Sequence, residues 1–109
     1  MELKQTADCL AELGNETRLK IFRYLVKMGN QGMPVGTIQK ELDIPGSTLS
    51  HHISRLARVG LIIQERNGRE LICQPQFEQL QGLIDFLVDE CCEGEQECLT
   101  VSGPAKSCC

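Results

Sequence analysis

Four residues, Asp43-Ile44-Pro45-Gly46, separate two stretches whose apolar positions have helical spacing. Before them, Val35, Ile38 and Leu42 fall at i, i+3 and i+7, and Pro34 allows a helix to begin. After them, Leu49, Ile53 and Leu56 make a second stripe, and Gly60 ends it. Two helices joined this closely, over residues 34–42 and 47–59, with the second rich in small polar side chains, form a helix-turn-helix pattern. That pairing governs how the remaining segments can be arranged.

The segment that follows supports it. Leu61-Ile62-Ile63-Gln64-Glu65-Arg66 and Arg69-Glu70-Leu71-Ile72-Cys73 are strand-like runs joined by Asn67-Gly68. Asn-Gly favours a type I′ hairpin turn, which needs positive φ at both central residues. The hairpin is expected to form a wing with Arg66 and Arg69 beside its tip. Upstream, Leu3, Ala7 and Leu10 predict a first helix over residues 2–13. Asn15 can cap a second over 16–28, whose Leu19, Ile21, Phe22, Leu25 and Val26 cover more than one face, as in a buried helix. Gly29-Asn30-Gln31-Gly32 stops it. Pro75 opens a last helix over 76–92, where Phe77, Leu80, Leu83, Ile84, Leu87, Val88 and Cys91 make a stripe wider than a small core needs. Part of that stripe is expected to pack against a second subunit. The fold is therefore expected to be mainly α with a small β-hairpin, in the order α-α-α-α-β-β-α. It should be a homodimer through its first and last helices, with residues 1–92 as the domain and 93–109 as a flexible, cysteine-rich tail.

Charge bears on what such a domain could bind. The net charge is −4, which taken evenly would disfavour nucleic acid. Residues 1–74 carry ten basic and eight acidic side chains, whereas residues 75–109 carry one and seven, so the two parts stand at +2 and −6. The acid is concentrated in the last third, which leaves DNA binding open to the first part. The N-terminus lacks the basic start and apolar run of a secretory signal, and no apolar stretch approaches the ~20 residues that span a bilayer. A cytoplasmic protein with reduced thiols is expected, with no membrane partner. Seven cysteines cannot all pair within one chain. No Cys-x-x-Cys in a strand–helix setting and no phosphate loop point to an enzyme.

Leu13-Gly14-Asn15-Glu16-Thr17-Arg18-Leu19-Lys20-Ile21-Phe22, the recognition-helix stretch Ser47-Thr48-Leu49-Ser50-His51-His52-Ile53-Ser54-Arg55-Leu56, and Val59-Gly60-Leu61-Ile62 with Arg66-Asn67-Gly68-Arg69 together resemble the ArsR/SmtB family of bacterial metal-responsive repressors. The resemblance covers roughly residues 5–92. It implies a winged-helix homodimer that binds operator DNA, here expected to be an imperfect inverted repeat, and releases it when an inducer binds.

With Leu49, Ile53 and Leu56 turned inward, Ser47, Thr48, Ser50, His51, Ser54 and Arg55 lie largely on the opposite face and are the expected DNA contacts. His52 stands three after Leu49 and four before Leu56, which makes it a structural, half-buried residue instead. Arg66 and Arg69 are expected at phosphate or in the minor groove, with Arg18 and Arg58 as weaker candidates.

The inducer is read from the cysteines. The family's Cys-x-Cys on the first helix of the helix-turn-helix is missing from Val35–Leu42. Its zinc and nickel sites on the last helix would have only Asp85 and Asp89, with no histidine after His52, and two carboxylates alone make a poor zinc site. Cys91-Cys92 with Cys98 resembles a subset of arsenic-responsive members. Three thiolates suit As(III) or Sb(III), which are soft and thiophilic. A continuous helix would hold Cys91 and Cys98 about 10 Å apart, whereas sulfurs on one ion must lie within roughly 4.6 Å of one another. The chain must therefore turn back, and Gly94 is the place for it to do so. The expected function is an As(III)/Sb(III)-responsive repressor with no permanent cofactor, its inducer held by Cys91, Cys92 and Cys98. A thiol redox or persulfide sensor on the same fold is the alternative. Cys73 is expected as a small apolar strand residue and Cys9 as a packing residue, while Cys108 and Cys109 stay unassigned.

Overall fold

The computed structural model describes residues 1–89 and Gly94. Helix α1 spans Leu3–Leu13, α2 Glu16–Met28, α3 Val35–Leu42, α4 Gly46–Arg58 and α5 Phe77–Val88. Strand β1 is Met33–Pro34, β2 Ile62–Asn67 and β3 Glu70–Pro75. The three strands form one antiparallel sheet in the order β1-β3-β2. Among the described residues no helix is long and apolar enough to cross a membrane.

Helix α2 forms the centre of the core because it is apolar on more than one side. Ile21, Phe22 and Leu25 are buried against Ile38 of α3, Leu49, Ile53 and Leu56 of α4, Leu61 and Ile62 at the start of the hairpin, and Leu83 of α5. Burying each aliphatic side chain contributes roughly 1.5–3 kcal/mol. Asn15 caps α2, its Oδ1 accepting from the Arg18 N–H at 3.0 Å. Gly29, at φ +89, ends it.

The structure departs from the sequence expectation in three places: strand β1, the hairpin turn and the end of α5. The apolar stripe of α1, a helix expected at a subunit interface, faces away from this protomer's core: Leu3 is 74% exposed and Leu10 41%, while Thr6, Cys9 and Glu12 are buried. Thr6 meets its burial by donating Oγ1–H to the Glu2 carbonyl at 2.9 Å. Strand β1 was not expected. Two residues are too short to show an alternation, and Pro34 suits a helix start as well as a strand edge. In fact Met33 and Pro34 pair with Cys73 and Ile72, with Pro34 on the sheet edge where its missing N–H is tolerated. The hairpin turn is shifted by one. Asn67 pairs with Glu70, so Gly68 and Arg69 are central, and only Gly68 has positive φ (+67). This is the pattern of a type II′ turn rather than I′. Finally, α5 ends at Val88, and Asp89 leaves the helix at ψ 134. The part of the expected helix over residues 90–92 lies outside the described residues, and Gly94 is an exposed turn residue.

Candidate nucleic-acid interface

The turn between α3 and α4 is set by Asp43, the only non-glycine among the described residues with positive φ (+52). Its left-handed backbone lets the Ile44 N–H donate to the Gln39 carbonyl at 3.2 Å and brings Ile44 into the core. Pro45 is the N-cap of α4 and supplies no side-chain bond, so the first N–H groups of α4 have no capping partner. Those groups point along the helix start, where an anion is favoured.

The outer face of α4 carries the expected row. Ser47, Thr48, Ser50, His51 and Ser54 are all exposed, while Leu49, Ile53 and Leu56 are fully or almost fully buried. Arg66 and Arg69 are exposed at the hairpin. A groove of about 950 Å³ runs between α3, α4 and the hairpin and brings Ser50, Ser54 and Arg69 to one cleft. Lys40 of α3 joins them there. It had no motif to mark it. Its only sequence signal is a basic side chain off the Val35–Ile38–Leu42 stripe.

Arg55 is placed differently from its neighbours. Its Nε–H donates to Glu12 Oε1 of α1 at 2.9 Å. Arg18 Nη1 of α2 stands 3.1 Å from the same oxygen, as an ion pair without hydrogen-bond alignment. Arg18 is buried, which removes it from the candidate DNA contacts, whereas Arg58 is exposed. The Arg55 hydrogen bond, with the charges of Arg55, Arg18 and Arg58, holds the Glu12 carboxyl below the usual carboxylate range. No spacing rule marks Glu12 as an inward residue. It follows Cys9 by one helical turn, and Cys9 too was off the apolar stripe.

His52 is buried as expected, and its Nδ1 has no partner. Burial, then the charges of Arg18, His51 and Arg55, push its pKa down, so the ring is neutral near neutral pH. Cys9 and Cys73 are both wholly buried. Cys9 Sγ donates to the Val59 carbonyl at 3.5 Å and accepts from Gln79 Nε2 at 3.6 Å. Burial raises its thiol pKa and pushes that of Cys73 to about 11. Neither is a thiolate at neutral pH, so neither is suited to bind a soft ion or to react with oxidant. Cys91, Cys92 and Cys98 lie outside the described residues, as do Cys108 and Cys109. Among the described residues, no three His, Cys, Asp or Glu side chains group together as a metal site would require. Asp85 is engaged with Gln81, whose Nε2 donates to it at 2.9 Å.

Comparison with known proteins places this arrangement among others. A helix-turn-helix domain family matches residues 13–65. The HTH-type transcriptional regulator YbzH of Bacillus subtilis strain 168, itself uncharacterized, is 32% identical over 72% of this chain and 90% of its own. A Halobacterium salinarum protein that carries the name of an arsenical resistance operon repressor, ArsR, is 34% identical over 62% of this chain, which spans about half (51%) of that relative. Among solved structures, the homodimeric winged helix-turn-helix domain of Mb0332 from Mycobacterium bovis superposes with a TM-score of 0.65 at 23% identity, covering 87% of this chain and 88% of that one.

Proposed function

Because this chain belongs to the ArsR family of winged helix-turn-helix transcriptional regulators, we propose that it is a homodimeric repressor that binds operator DNA and releases it on binding As(III) or Sb(III). The observation that carries the DNA half is the exposed polar row of α4, of which Ser50 and Ser54 share one cleft with Arg69. Ser47, Thr48, Ser50, His51 and Ser54 enter the major groove, where short hydroxyls reach phosphates and base edges without bulk. Arg66, Arg69 and Lys40 neutralise phosphates alongside.

Dimerisation follows from surface left uncovered in one protomer. Leu3, Leu10 and Leu87 are exposed, and α5 buries only Leu83 fully against its own chain. A two-fold axis through α1 and α5 would hold two α4 helices about 34 Å apart, over successive major grooves. This arrangement calls for an imperfect inverted repeat.

The inducer half rests on Cys91, Cys92 and Cys98. Three thiolates on one soft ion would tie the tail to the end of the α5 segment and alter the dimer packing. The likeness to a relative named for arsenical resistance supports this reading. A gel shift on operator DNA with As(III), Sb(III), Cd(II), Zn(II) and peroxide tests it. Release by As(III) and Sb(III), lost in Cys98→Ser, is the expected result. Release by peroxide but not by arsenite would replace it with thiol redox sensing.

A further inference from the structure

Glu12 sits on α1, a helix that is no part of the candidate DNA face, and yet among the described residues it is the one buried acidic side chain. Its Oε1 receives Arg55 Nε at 2.9 Å and faces Arg18 Nη1 at 3.1 Å, so one carboxylate oxygen joins α1, α2 and α4. The remaining inward contacts of α4 come from Leu49, His52, Ile53 and Leu56, and apolar burial is non-directional, so it sets no particular rotation of the helix. A charged hydrogen bond is directional and sets one. The carboxylate and Arg18 side chains are each only 10% exposed, and there an unmatched charge is costly, so the pairing is strongly favoured.

A second polar link holds the far end of the same helix. Gln79 Nε2 of α5 donates to the carbonyl of Val59, the C-cap of α4, at 2.9 Å, and Cys9 Sγ of α1 donates to it at 3.5 Å. Helices α1 and α5, which expose Leu3, Leu10 and Leu87, are thus both bonded to the recognition helix, at Arg55 and at Val59.

We propose that Glu12 is a positioning residue for DNA binding: by holding Arg55 and Arg18 it sets the rotation and register of α4 against α1, and Arg55 serves this latch rather than DNA. The proposal rests on the DNA-binding reading above. It makes Arg55 the exception on a face whose other polar residues meet the operator. It also gives a shift of α1 a direct route to the DNA-reading row.

Fluorescence anisotropy on an operator duplex over a range of salt tests it, using wild type, Glu12→Gln, Arg55→Gln, the double variant and Arg55→Lys. All measurements are made below each variant's melting transition. A latch predicts that each Gln variant binds roughly tenfold more weakly, the loss set by one charge-assisted hydrogen bond. The double variant should be no weaker than either single variant, because both remove the same interaction. The log–log salt slope should match wild type, and Arg55→Lys, which keeps a charge but loses the fixed Nε donor, should behave as Arg55→Gln. If instead Arg55 meets a phosphate on binding, Glu12 is its competitor. Glu12→Gln would then bind more tightly, Arg55→Gln would flatten the slope by about 0.9, and Arg55→Lys would bind as wild type. Should Glu12→Gln not fold, Arg55→Lys and the slope of Arg55→Gln still separate the two, since Arg55 is 37% exposed. A Glu12→Gln protein that binds as tightly as wild type overturns the latch alone. A wild type that binds no DNA overturns the reading beneath it.

Discussion

His52 and Arg55 are three residues apart on one helix, and one is buried in the core while the other bonds back to Glu12 of α1. His52 falls between Leu49 and Leu56 on the inward stripe, so periodicity places it inside, where the structure has it. Arg55 lies off that stripe, and periodicity sends it to solvent. What turns its head inward is Glu12, forty-three positions earlier, and no local pattern carries that contact. The buried His52 has a consequence for pH. Its folded pKa is depressed by burial and by Arg18, His51 and Arg55, so the unfolded chain takes up the proton first as pH falls. Stability is full above the ordinary imidazole value of about 6.5 and declines below it. Glu12, also depressed, adds a second loss below the ordinary carboxylate range. Thermal melts from about pH 8 to 5 should show the melting temperature falling below about pH 6.5, and His52→Gln should flatten that fall. An equal fall in the variant would assign it elsewhere.

Element by element, the helices with two-sided or core-facing stripes were legible, and α2 has the expected bounds, Glu16–Met28. Helix α1 was legible as a helix. Its apolar positions face outward because they are not part of this protomer's core, and a single sequence does not say which body a stripe will meet. Strand β1 escaped because two residues carry no period, but the glycine before it shows why the chain passes there. Gly32 has φ +73, and a Cβ would lie 2.6 Å from Gln74 Cγ and 2.8 Å from the Cys73 carbonyl oxygen. Gly68 has φ +67 with nothing within 4 Å. Gly68→Ala should cost only the left-handed strain, about 1–2 kcal/mol. Gly32→Ala adds a backbone clash and should cost more, about 3 kcal/mol or above by denaturant melts. Equal costs would mean that the sheet edge yields. At α1 and α5, Leu10→Glu with Leu87→Glu should drive the protein to monomer in sedimentation and weaken operator binding with it. An unchanged dimer would move the interface to another face.

For the molecule as a whole, the winged-helix order was legible from one short connection, one hairpin and the apolar stripes of the flanking helices, and the charge division between residues 1–74 and 75–109 left DNA binding open to the first part. The exposed polar row of α4 was legible in most of its residues, because exposure on one helix face is a local property. The coupling was not, since Glu12–Arg55 and Gln79–Val59 join segments distant in sequence. The inducer reading depends on three cysteines and on the chemistry of soft ions, and it requires that binding at one end of the α5 segment be felt at α4. One titration tests that directly. Arsenite is added to a preformed complex of reduced protein and labelled operator, with anisotropy and near-ultraviolet thiolate absorbance read together. The account predicts that the absorbance band and DNA release rise in step and saturate near one equivalent per subunit, and that both are lost in Cys98→Ser. A band that saturates while the operator stays bound, or release that persists in Cys98→Ser, would contradict it.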